Sequence, residues 1–481
     1  MKKDMTKGNV WKLIIMFALP IMAANLLQQL YNTVDSVVVG NFAEAGMPGS
    51  FAAVATTAPL TMLFLALSIG LGNGAAVVCS QLFGARRDRD LSIAVDTAMI
   101  LMTIVGVVVM IIGWIFTPAL FSGLLSVKDP EIHRLATAYM RIFCIGVPFT
   151  FLYNAIASAL RGVGDSKASL LFLLITSVLN VVLDLWFVIS FDWGVQGVSI
   201  ATVIAQVVCT VVSYIYLRRK FPFKKGEPHF DKGLCGSIVK IGLPSAIQMC
   251  IVSVGNSAMM RLVHHFAATN AAGNAIIDAF GAGSRIDFFA HVPSMGLQSA
   301  LATFTGQNLA ANRIDRVNKG YYVTLATSAV IAAALSLILY FFAVPILKIF
   351  GLAENAISIG TEQIVFYAQV FWIFALYSIV GGVLQGAGDT IMQSGATLLA
   401  LFVRVALAYA GVYLFNWFGY EASWATLGYG WGLAIVITNV RFFTGGWKKK
   451  AIARRAPEET LDTSEGDLLF AEAVPAEEKL D

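Results

Sequence analysis

Long uncharged stretches recur along the chain and alternate with short segments in which the charged residues are concentrated. Eight of these stretches exceed the roughly 18 residues that a helix needs to cross a bilayer. They span Leu13–Val34, Ser50–Ala85, Thr97–Val127, Ile142–Leu160, Trp193–Leu217, Val323–Leu347, Gln363–Gly388 and Ala422–Val440. Shorter apolar stretches, each interrupted by one or two ionisable residues, lie near 168–190, 234–264, 275–308 and 390–416. The pattern predicts an all-α polytopic membrane protein with about twelve transmembrane helices.

The composition supports this interpretation. Of the 481 residues, 58% are hydrophobic and 13% are charged, whereas soluble proteins carry roughly 25% charged residues. The first apolar run contains Pro20 and is longer than the core of about 7–15 residues in a signal peptide, so we expect a membrane helix there. The five cysteines have no metal-ligand or paired spacing, and we predict that they pack as small apolar residues.

The distribution of basic residues predicts the orientation. Lysine and arginine cluster in alternate loops, namely before the first helix and near 86–89, 161–167, 218–240, 313–319 and 448–455. Basic loops mark the cytoplasmic side of a membrane protein. We therefore predict a multi-pass protein of the cytoplasmic membrane with both termini in the cytoplasm.

The chain contains one pattern twice. The equivalent segments are LRGVGDSK at 160–167 and LQGAGDTI at 384–391, QLFGARR at 81–87 and QNLAANR at 307–313, and the segments that begin LPIM at Leu19 and LPSA at Leu243. We predict a six-helix bundle at 1–217, a basic cytoplasmic linker at 218–240, a second six-helix bundle at 241–447 and a cytoplasmic tail at 448–481, expected to be disordered. Because six is even, both bundles enter the membrane from the same side, which makes the repeat parallel.

The repeated GxGD phrase admits two interpretations. Intramembrane aspartyl proteases carry GxGD, so Asp165 and Asp389 could form a catalytic pair. Both, however, follow the end of an apolar run on the predicted cytoplasmic side. Glycine ends helices, and aspartate before serine or threonine is a good N-cap. We therefore predict that the phrase marks equivalent corners of the two bundles.

Two carboxylates stand out inside the apolar runs of the first half. Asp35 lies in the first predicted helix, and Asp184 lies in the fifth, one turn after Asn180. Thr202, in the sixth helix, could add a hydroxyl. An acid within a membrane span costs about 2.5–3.5 kcal/mol on insertion scales and is a functional candidate by default.

The second half serves as a control for the first. In the repeat alignment Asp35 becomes Met259, Asn180 becomes Arg404 and Asp184 becomes Ala408, so the fold does not require acids at these positions. The alternative is that the acids cap broken helices or pair with a buried cation, for which Arg141 is the candidate in the first-half spans.

The acidic set has a definite chemistry. Two carboxylates that share a dry pocket cannot both ionise cheaply, so the pair can take up H⁺. With amide and hydroxyl oxygens it can instead bind Na⁺, a hard cation that prefers oxygen ligands. Pro20 removes a backbone hydrogen bond in helix 1, and we predict a hinge there that moves when the cation binds.

The second half carries other charges in its apolar runs. They are Arg261 in helix 7, Asp278, Arg285, Asp287 and His291 around helix 8, and Arg404 in helix 11. One interpretation is ion pairing between helices. The other is a second cation or substrate site centred on Asp287.

The sequence resembles the multidrug and toxic compound extrusion (MATE) transporters over about residues 8–447. The resemblance rests on the spacing from Pro20 to Asp35, on QLFGARR, on LRGVGDSK and on NVVLDLWFV at 180–188 followed by GVQGVSIAT at 194–202. It implies two bundles around a V-shaped cleft, and export of cationic amphiphilic drugs in exchange for H⁺ or Na⁺. It also places the first-half cation site at Asp35, Asn180, Asp184 and Thr202.

One departure from the family pattern concerns helix 7. The NorM-like branch has an acid there, about two turns after the proline, whereas residues 248–260 contain none. A NorM-type sodium site in the second half is therefore not expected, and coupling through the first half is favoured.

Other functions fit the sequence less well. A lipid-linked oligosaccharide flippase of the same superfamily is the alternative, because the second-half arginines would suit an anionic cargo. The major facilitator class lacks support, since GARRDRDL lacks the second glycine of its loop motif. No His/Cys cluster or Walker motif suggests an enzyme, a cofactor or ATP-driven pumping, and we expect a monomer that binds no nucleic acid.

Overall fold

The computed structural model describes residues 4–38, 49–124, 129–222 and 228–454, apart from the side-chain surroundings of 31–37, 51 and 124. The described residues form twelve long helices and no strand. The helices are α1 (Val10–Val38), α2 (Ser50–Gly84), α3 (Asp88–Ala119), α4 (Pro130–Gly162), α5 (Ser166–Leu185), α6 (Gly194–Lys220), α7 (Lys232–Thr269), α8 (Asn274–Ala310), α9 (Ile314–Lys348), α10 (Glu354–Ala387), α11 (Thr390–Tyr413) and α12 (Leu427–Thr444). Ten of them are long and apolar enough to cross a bilayer. The predicted all-α polytopic fold is confirmed.

The same helix pairs pack in each half of the chain. In the first half α4 packs against α2, α3 and α6, and α5 packs against α1 and α6. In the second half α10 packs against α8, α9 and α12, and α11 packs against α7 and α12. Each pair has its equivalent six helices later, so the duplication seen in the sequence is a duplication of packing.

The halves meet through their first two helices. In the main contacts between them, α7 packs against α2, and α1 packs against α8. Glycines allow the first of these contacts, because a Cβ on Gly70 would lie 2.2 Å from the Ala246 Cα atom and a Cβ on Gly74 would lie 2.3 Å from the Ile238 carbonyl oxygen. Any larger side chain at either glycine would force the helices apart.

The two ends of the described part, near Met5 and Ile452, lie at the same end of the molecule, which we call the terminal face. Here the structure differs in detail from the predicted boundaries. Helix α6 continues to Lys220 and α7 begins at Lys232, so helix extends into both ends of the predicted linker. The predicted tail begins as a 3₁₀ turn, Gly446–Lys449, and continues to Ala453, which is buried; the residues after 454 lie outside the described part.

The two GxGD phrases form matching corners at the terminal face. Gly164 and Gly388 both have φ of 86°, a left-handed conformation that favours glycine. The Asp165 N–H donates to the Leu160 carbonyl over 2.8 Å, and the Asp389 N–H donates to the Leu384 carbonyl over 2.9 Å. The phrase ends α4 and α10 in the same way, which confirms that it marks equivalent corners. The predicted side-chain N-cap is present at Asp165, but Asp389 makes no capping bond in the described part.

The corner carboxylates also pair with cations in their own halves. The Asp165 side chain caps α5 by accepting from the Ala168 N–H, and it accepts from Lys220 Nζ and from the Tyr216 hydroxyl. Asp389 accepts from Arg441 Nε over 2.7 Å. Each corner thus ties the fifth helix of its half to the sixth.

Candidate functional site

Three polar side chains predicted as cation ligands lie buried between α5 and α6. Asn180 and Asp184 are one turn apart on α5, and Thr202 lies on α6. Asp184 is 0% exposed, Asn180 1% and Thr202 3%. Asn180 Nδ2 donates to Thr202 Oγ1 over 3.3 Å, and Thr202 Oγ1 donates to the Val198 carbonyl over 3.0 Å. We call these three residues the N-half polar cluster.

The connection between α5 and α6 holds the cluster in place. Helix α5 passes into a π-helical turn, Trp186–Ser190, and α6 begins at Gly194. A Cβ on Gly197 would lie 3.1 Å from the Phe187 Cβ atom, so the glycine lets the start of α6 approach this turn closely. The short connection and the close contact fix Thr202 beside Asn180.

The fourth predicted ligand and the predicted hinge belong to α1. Asp35 lies within the helix, but its side chain falls outside the described residues, so its position relative to Asp184 stays a prediction. Pro20 is buried inside the same helix. Helix α1 packs against α5, which carries Asp184, and also against α8 of the second half. A change near Asp35 can therefore reach both halves through one helix.

Arg141, the cation that could have neutralised the acidic set, is engaged elsewhere. It lies on α4, and its Cζ atom is 5.0 Å from the centroid of the Trp114 ring on α3. This geometry is a cation–π contact. It gives no support to the alternative in which the acids exist to pair with this arginine.

At the counterparts of the two acids the second half has apolar residues. Met259, the counterpart of Asp35, is 1% exposed, and Ala408, the counterpart of Asp184, is 0% exposed. Both belong to one apolar cluster with Leu262 and Val412. Arg404, the counterpart of Asn180, donates from Nη2 to the Ser423 carbonyl over 3.4 Å. The fold therefore builds this position equally well without a carboxylate.

The four charges predicted as a second-half cluster are not brought together. Arg261, Asp278 and Arg285 are exposed, and among the described residues they form no ion pair with one another. Asp278 and Arg285 are two helical turns apart, or about 10.5 Å along the axis, which is a long reach for a direct pair. Asp287 lies instead 3.3 Å from His291 Nδ1, one turn further along α8.

The surroundings of Asp287 contain His291, which the sequence analysis noted, and two polar residues that it did not assign, Gln363 and Tyr367. His291 packs against the rings of Phe374 and Trp431. On α10, Gln363 Nε2 donates to the Tyr367 hydroxyl over 2.7 Å, and both residues are buried. The available signal was the pair of polar side chains four residues apart inside an apolar run, which places both on one helix face.

Two equivalent bundles of membrane-spanning helices in one chain are typical of duplicated secondary membrane transporters. A family model agrees with this class. The MatE model matches residues 20–186 and again residues 244–410, so each match begins at the proline of the first helix of a half. The chain belongs to the MatE family, and it is a multi-pass membrane transporter and not an enzyme.

Curated proteins and solved structures resemble the chain over nearly its whole length. "Probable multidrug resistance protein YoeA" of Bacillus subtilis (strain 168) is 28% identical over 466 residues, covering 93% of this chain and 96% of that protein. "Probable multidrug resistance protein YpnP" of the same strain is 28% identical over 454 residues, covering 92% and 97%. A solved structure described as the outward-facing conformation of a multidrug resistance MATE family transporter of the MOP superfamily is 23% identical, with a TM-score of 0.82, and covers 92% of this chain and 98% of that one.

Proposed function

We propose that the protein exports cationic amphiphilic compounds, including drugs, in exchange for H⁺ or Na⁺, and that Asp35 and the N-half polar cluster bind the coupling cation. One observation carries the proposal. Asp184, Asn180 and Thr202 are fully or almost fully buried in the first half, while the counterpart of Asp184 is Ala408, in an apolar cluster with Met259. The names of the curated relatives support multidrug export as the cargo class.

The chemistry of the cluster suits a small cation. A carboxylate inside a membrane span is costly, and binding a single positive charge offsets that cost. H⁺ would neutralise one of the two acids, which cannot both ionise cheaply at short range. Na⁺ would take oxygen ligands from Asp184, Asn180 Oδ1 and Thr202 Oγ1. Either cation changes the local charge by one unit at the same place.

Coupling to movement follows from the contacts of α1. This helix packs against α5, which carries two residues of the cluster, and against α8 across the seam between the halves. Pro20 lacks the N–H that would continue the helical ladder, so bending there costs less than elsewhere. We propose that cation occupancy changes the position of α1 about Pro20 and thereby the angle between the halves.

The setting of this cycle is the cytoplasmic membrane, with the terminal face in the cytoplasm, as the basic loops predict. We propose that a single chain suffices, because each half supplies one wall of the cleft. A flippase of anionic lipid-linked oligosaccharides is the weaker candidate. The curated relatives named above are multidrug proteins, and Arg404 is tied to the Ser423 carbonyl.

A second contact for the cargo is proposed at Asp287. This half-buried carboxylate lies beside His291, which in turn packs against Phe374 and Trp431. A carboxylate next to aromatic rings suits an organic cation with an apolar body. Asp287→Asn should therefore raise the concentration of a cationic cargo that gives half-maximal export, while the dependence on the ion gradient stays the same.

The deciding experiment measures ethidium efflux from vesicles under separately imposed proton and sodium gradients. Asp35→Asn and Asp184→Asn should each lower gradient-driven efflux at least tenfold, and the gradient that drives the wild type identifies the coupling ion. Asp278→Asn is the matched control, because this acid lies in the second half and is exposed. Export at the wild-type rate by both Asp35→Asn and Asp184→Asn would refute the proposed cation site.

A further inference from the structure

Two glutamines at the terminal face make the same hydrogen bonds across the seam between the halves. Gln81 lies on α2 and is 0% exposed. Its Nε2 donates to the carbonyl of Gly386 over 3.0 Å, and its Oε1 accepts from the N–H of Ile452 over 2.7 Å. Both partners belong to the second half, so one buried side chain of the first half is bonded to the second half at both of its polar atoms.

Gln307 on α8 repeats this arrangement in the opposite direction. It is also 0% exposed. Its Nε2 donates to the carbonyl of Gly162 over 2.9 Å, and its Oε1 accepts from the N–H of Met5 over 2.9 Å. Gly162 and Gly386 are the first glycines of the two GxGD phrases, and the glutamines begin the QLFGARR and QNLAANR segments. The contact is therefore reciprocal between equivalent motifs.

The backbones approach closely beside each glutamine. A Cβ on Gly84 would lie 2.1 Å from the Gln307 carbonyl oxygen, and a Cβ on Gly306 would lie 2.0 Å from Ser80 Oγ. The neighbour of Gly84 is backbone, so no side chain fits there while the terminal face stays closed, whereas a side chain at Gly306 would require the Ser80 hydroxyl to move. The close contact between the halves therefore requires a glycine at position 84, within QLFGARR.

The terminal segments extend the contact. We call Asp4–Asn9 the N-terminal strap and Lys450–Ala453 the C-terminal strap. Met5 is 0% exposed, and its carbonyl accepts from Asn308 Nδ2 and Arg316 Nη2, each over 3.2 Å. Ala453 is 3% exposed and packs in the core of the first half. Each strap therefore binds the half to which it does not belong.

We propose that Gln81, Gln307 and the two straps form a latch that holds the terminal face closed and must open before cargo can enter from that face. Separation of the halves would break the four amide hydrogen bonds together, because each glutamine bonds to a GxGD corner and to a strap. The latch rests on the proposed function, in which the angle between the halves changes so that the cleft opens to one side of the membrane at a time. It does not depend on which cation couples transport or on the N-half polar cluster.

A distance measurement across the terminal face tests the latch without transport. Spin labels at Arg89→Cys and Lys319→Cys, two exposed positions in opposite halves, report the separation in the purified full chain in nanodiscs, with no cargo and no ion gradient. We expect Gln81→Ala with Gln307→Ala to increase the population with the longer distance at least tenfold, and each single variant to do so by less.

The matched control is Gln393→Ala. Gln393 is a buried glutamine of α11 that lies beside Gly381 in its own half, and its variant should keep the wild-type distance distribution. A folded double variant with an unchanged distribution would overturn the proposal. Since the readout is a distance, failure of the latch and failure of the coupling site are separate results.

A second variant covers the case in which the double substitution prevents folding. A chain that ends at Lys449 keeps both glutamines but lacks the N–H of Ile452 and the C-terminal strap. We expect a shift in the same direction, smaller than that of the double variant. An unshifted distance in this truncated chain would overturn the part assigned to the strap.

Discussion

Two equivalent helix contacts, α5 with α1 in the first half and α11 with α7 in the second, carry different side chains. The first holds Asn180 and Asp184, buried next to Thr202. The second holds Met259 and Ala408 in an apolar cluster. Because the helix packing is shared and Ala408 takes the place of Asp184, the buried carboxylate cannot be explained as a requirement of the fold.

At the terminal face, by contrast, the two halves have the same side chains in equivalent contacts. There Gln81 and Gln307 have the same partners in reverse, and Gly164 and Gly388 have the same φ. Features that both halves keep hold the molecule together or close it. A feature that only one half keeps at a cost in free energy indicates a function of that half, which we propose is the binding of the coupling cation.

The largest effect on the free energy of unfolding is expected when an acid of the first half is introduced at its counterpart in the second half. Met259→Asp would bury a carboxylate beside Leu262 and Ala408. We expect it to destabilise the protein by about 3 kcal/mol, which is the cost of an acid within a membrane span. The reciprocal change, Asp184→Ala, copies the second half and should leave stability unchanged or raise it, since a buried charge is removed. Thermal unfolding in detergent measures both.

Met259→Leu is the control for this exchange. It keeps the side-chain volume and adds no charge, so it should stay within about 1.5 kcal/mol of the wild type. If Met259→Asp unfolds at the wild-type temperature, the second half tolerates a carboxylate at no cost. The contrast between the halves would then say nothing about function.

A smaller effect is expected at the corners, where the halves differ in detail. Burial of Asp165 disfavours its ionised form, but the hydrogen bonds from Lys220 and Tyr216 and the charge of Lys220 outweigh burial and hold the pKa of Asp165 below its ordinary value. A lowered pKa stabilises the fold above the ordinary value, and the stabilisation is lost as the pH falls through the lowered one.

We therefore expect Asp165→Asn to destabilise the protein by about 1–2 kcal/mol at pH 7. The difference from the wild type should shrink below about pH 4, near the ordinary pKa of aspartate. Asp389→Asn is the comparison, because Asp389 accepts from Arg441 and makes no capping bond to α11 in the described part. We expect it to lower the free energy of unfolding by less than Asp165→Asn does. Unfolding curves over a pH series measure both, and a loss that persists unchanged in acid would contradict the assigned role of the Asp165 charge.

Much of the fold could be predicted because its signals are local or periodic. Apolar length predicts the helices, glycine before aspartate predicts the corners, and alignment of the halves predicts which polar positions lack a twin. Asn180 and Asp184 were found in this way. Their common helix face follows from a spacing of four residues.

The rest depends on contacts between residues far apart in the chain. Gln81 bonds to Gly386, and Gln307 bonds to Gly162, and no local pattern indicates these pairs. The charges around α8 show the same limit. Spacing places Asp278 and Arg285 on one helix face, but it does not indicate whether that face meets lipid, a cleft or another helix. Packing directs Asp287 to His291 instead.

The smallest effect tests whether the corners are as equivalent as they look. Gly164→Ala and Gly388→Ala each force a Cβ into a left-handed conformation, which costs about 1 kcal/mol. We expect the two losses in the free energy of unfolding to agree within about 0.5 kcal/mol, because φ is 86° at both positions. Gly281→Ala on α8 is the control, since an added Cβ there meets open space in a regular helix and should leave stability unchanged or slightly higher. Clearly unequal losses would mean that the GxGD phrase has a different structural role in each half. Equivalent positions in the two halves could then not be compared directly, and the argument from Met259 and Ala408 to Asp35 and Asp184 would lose its basis.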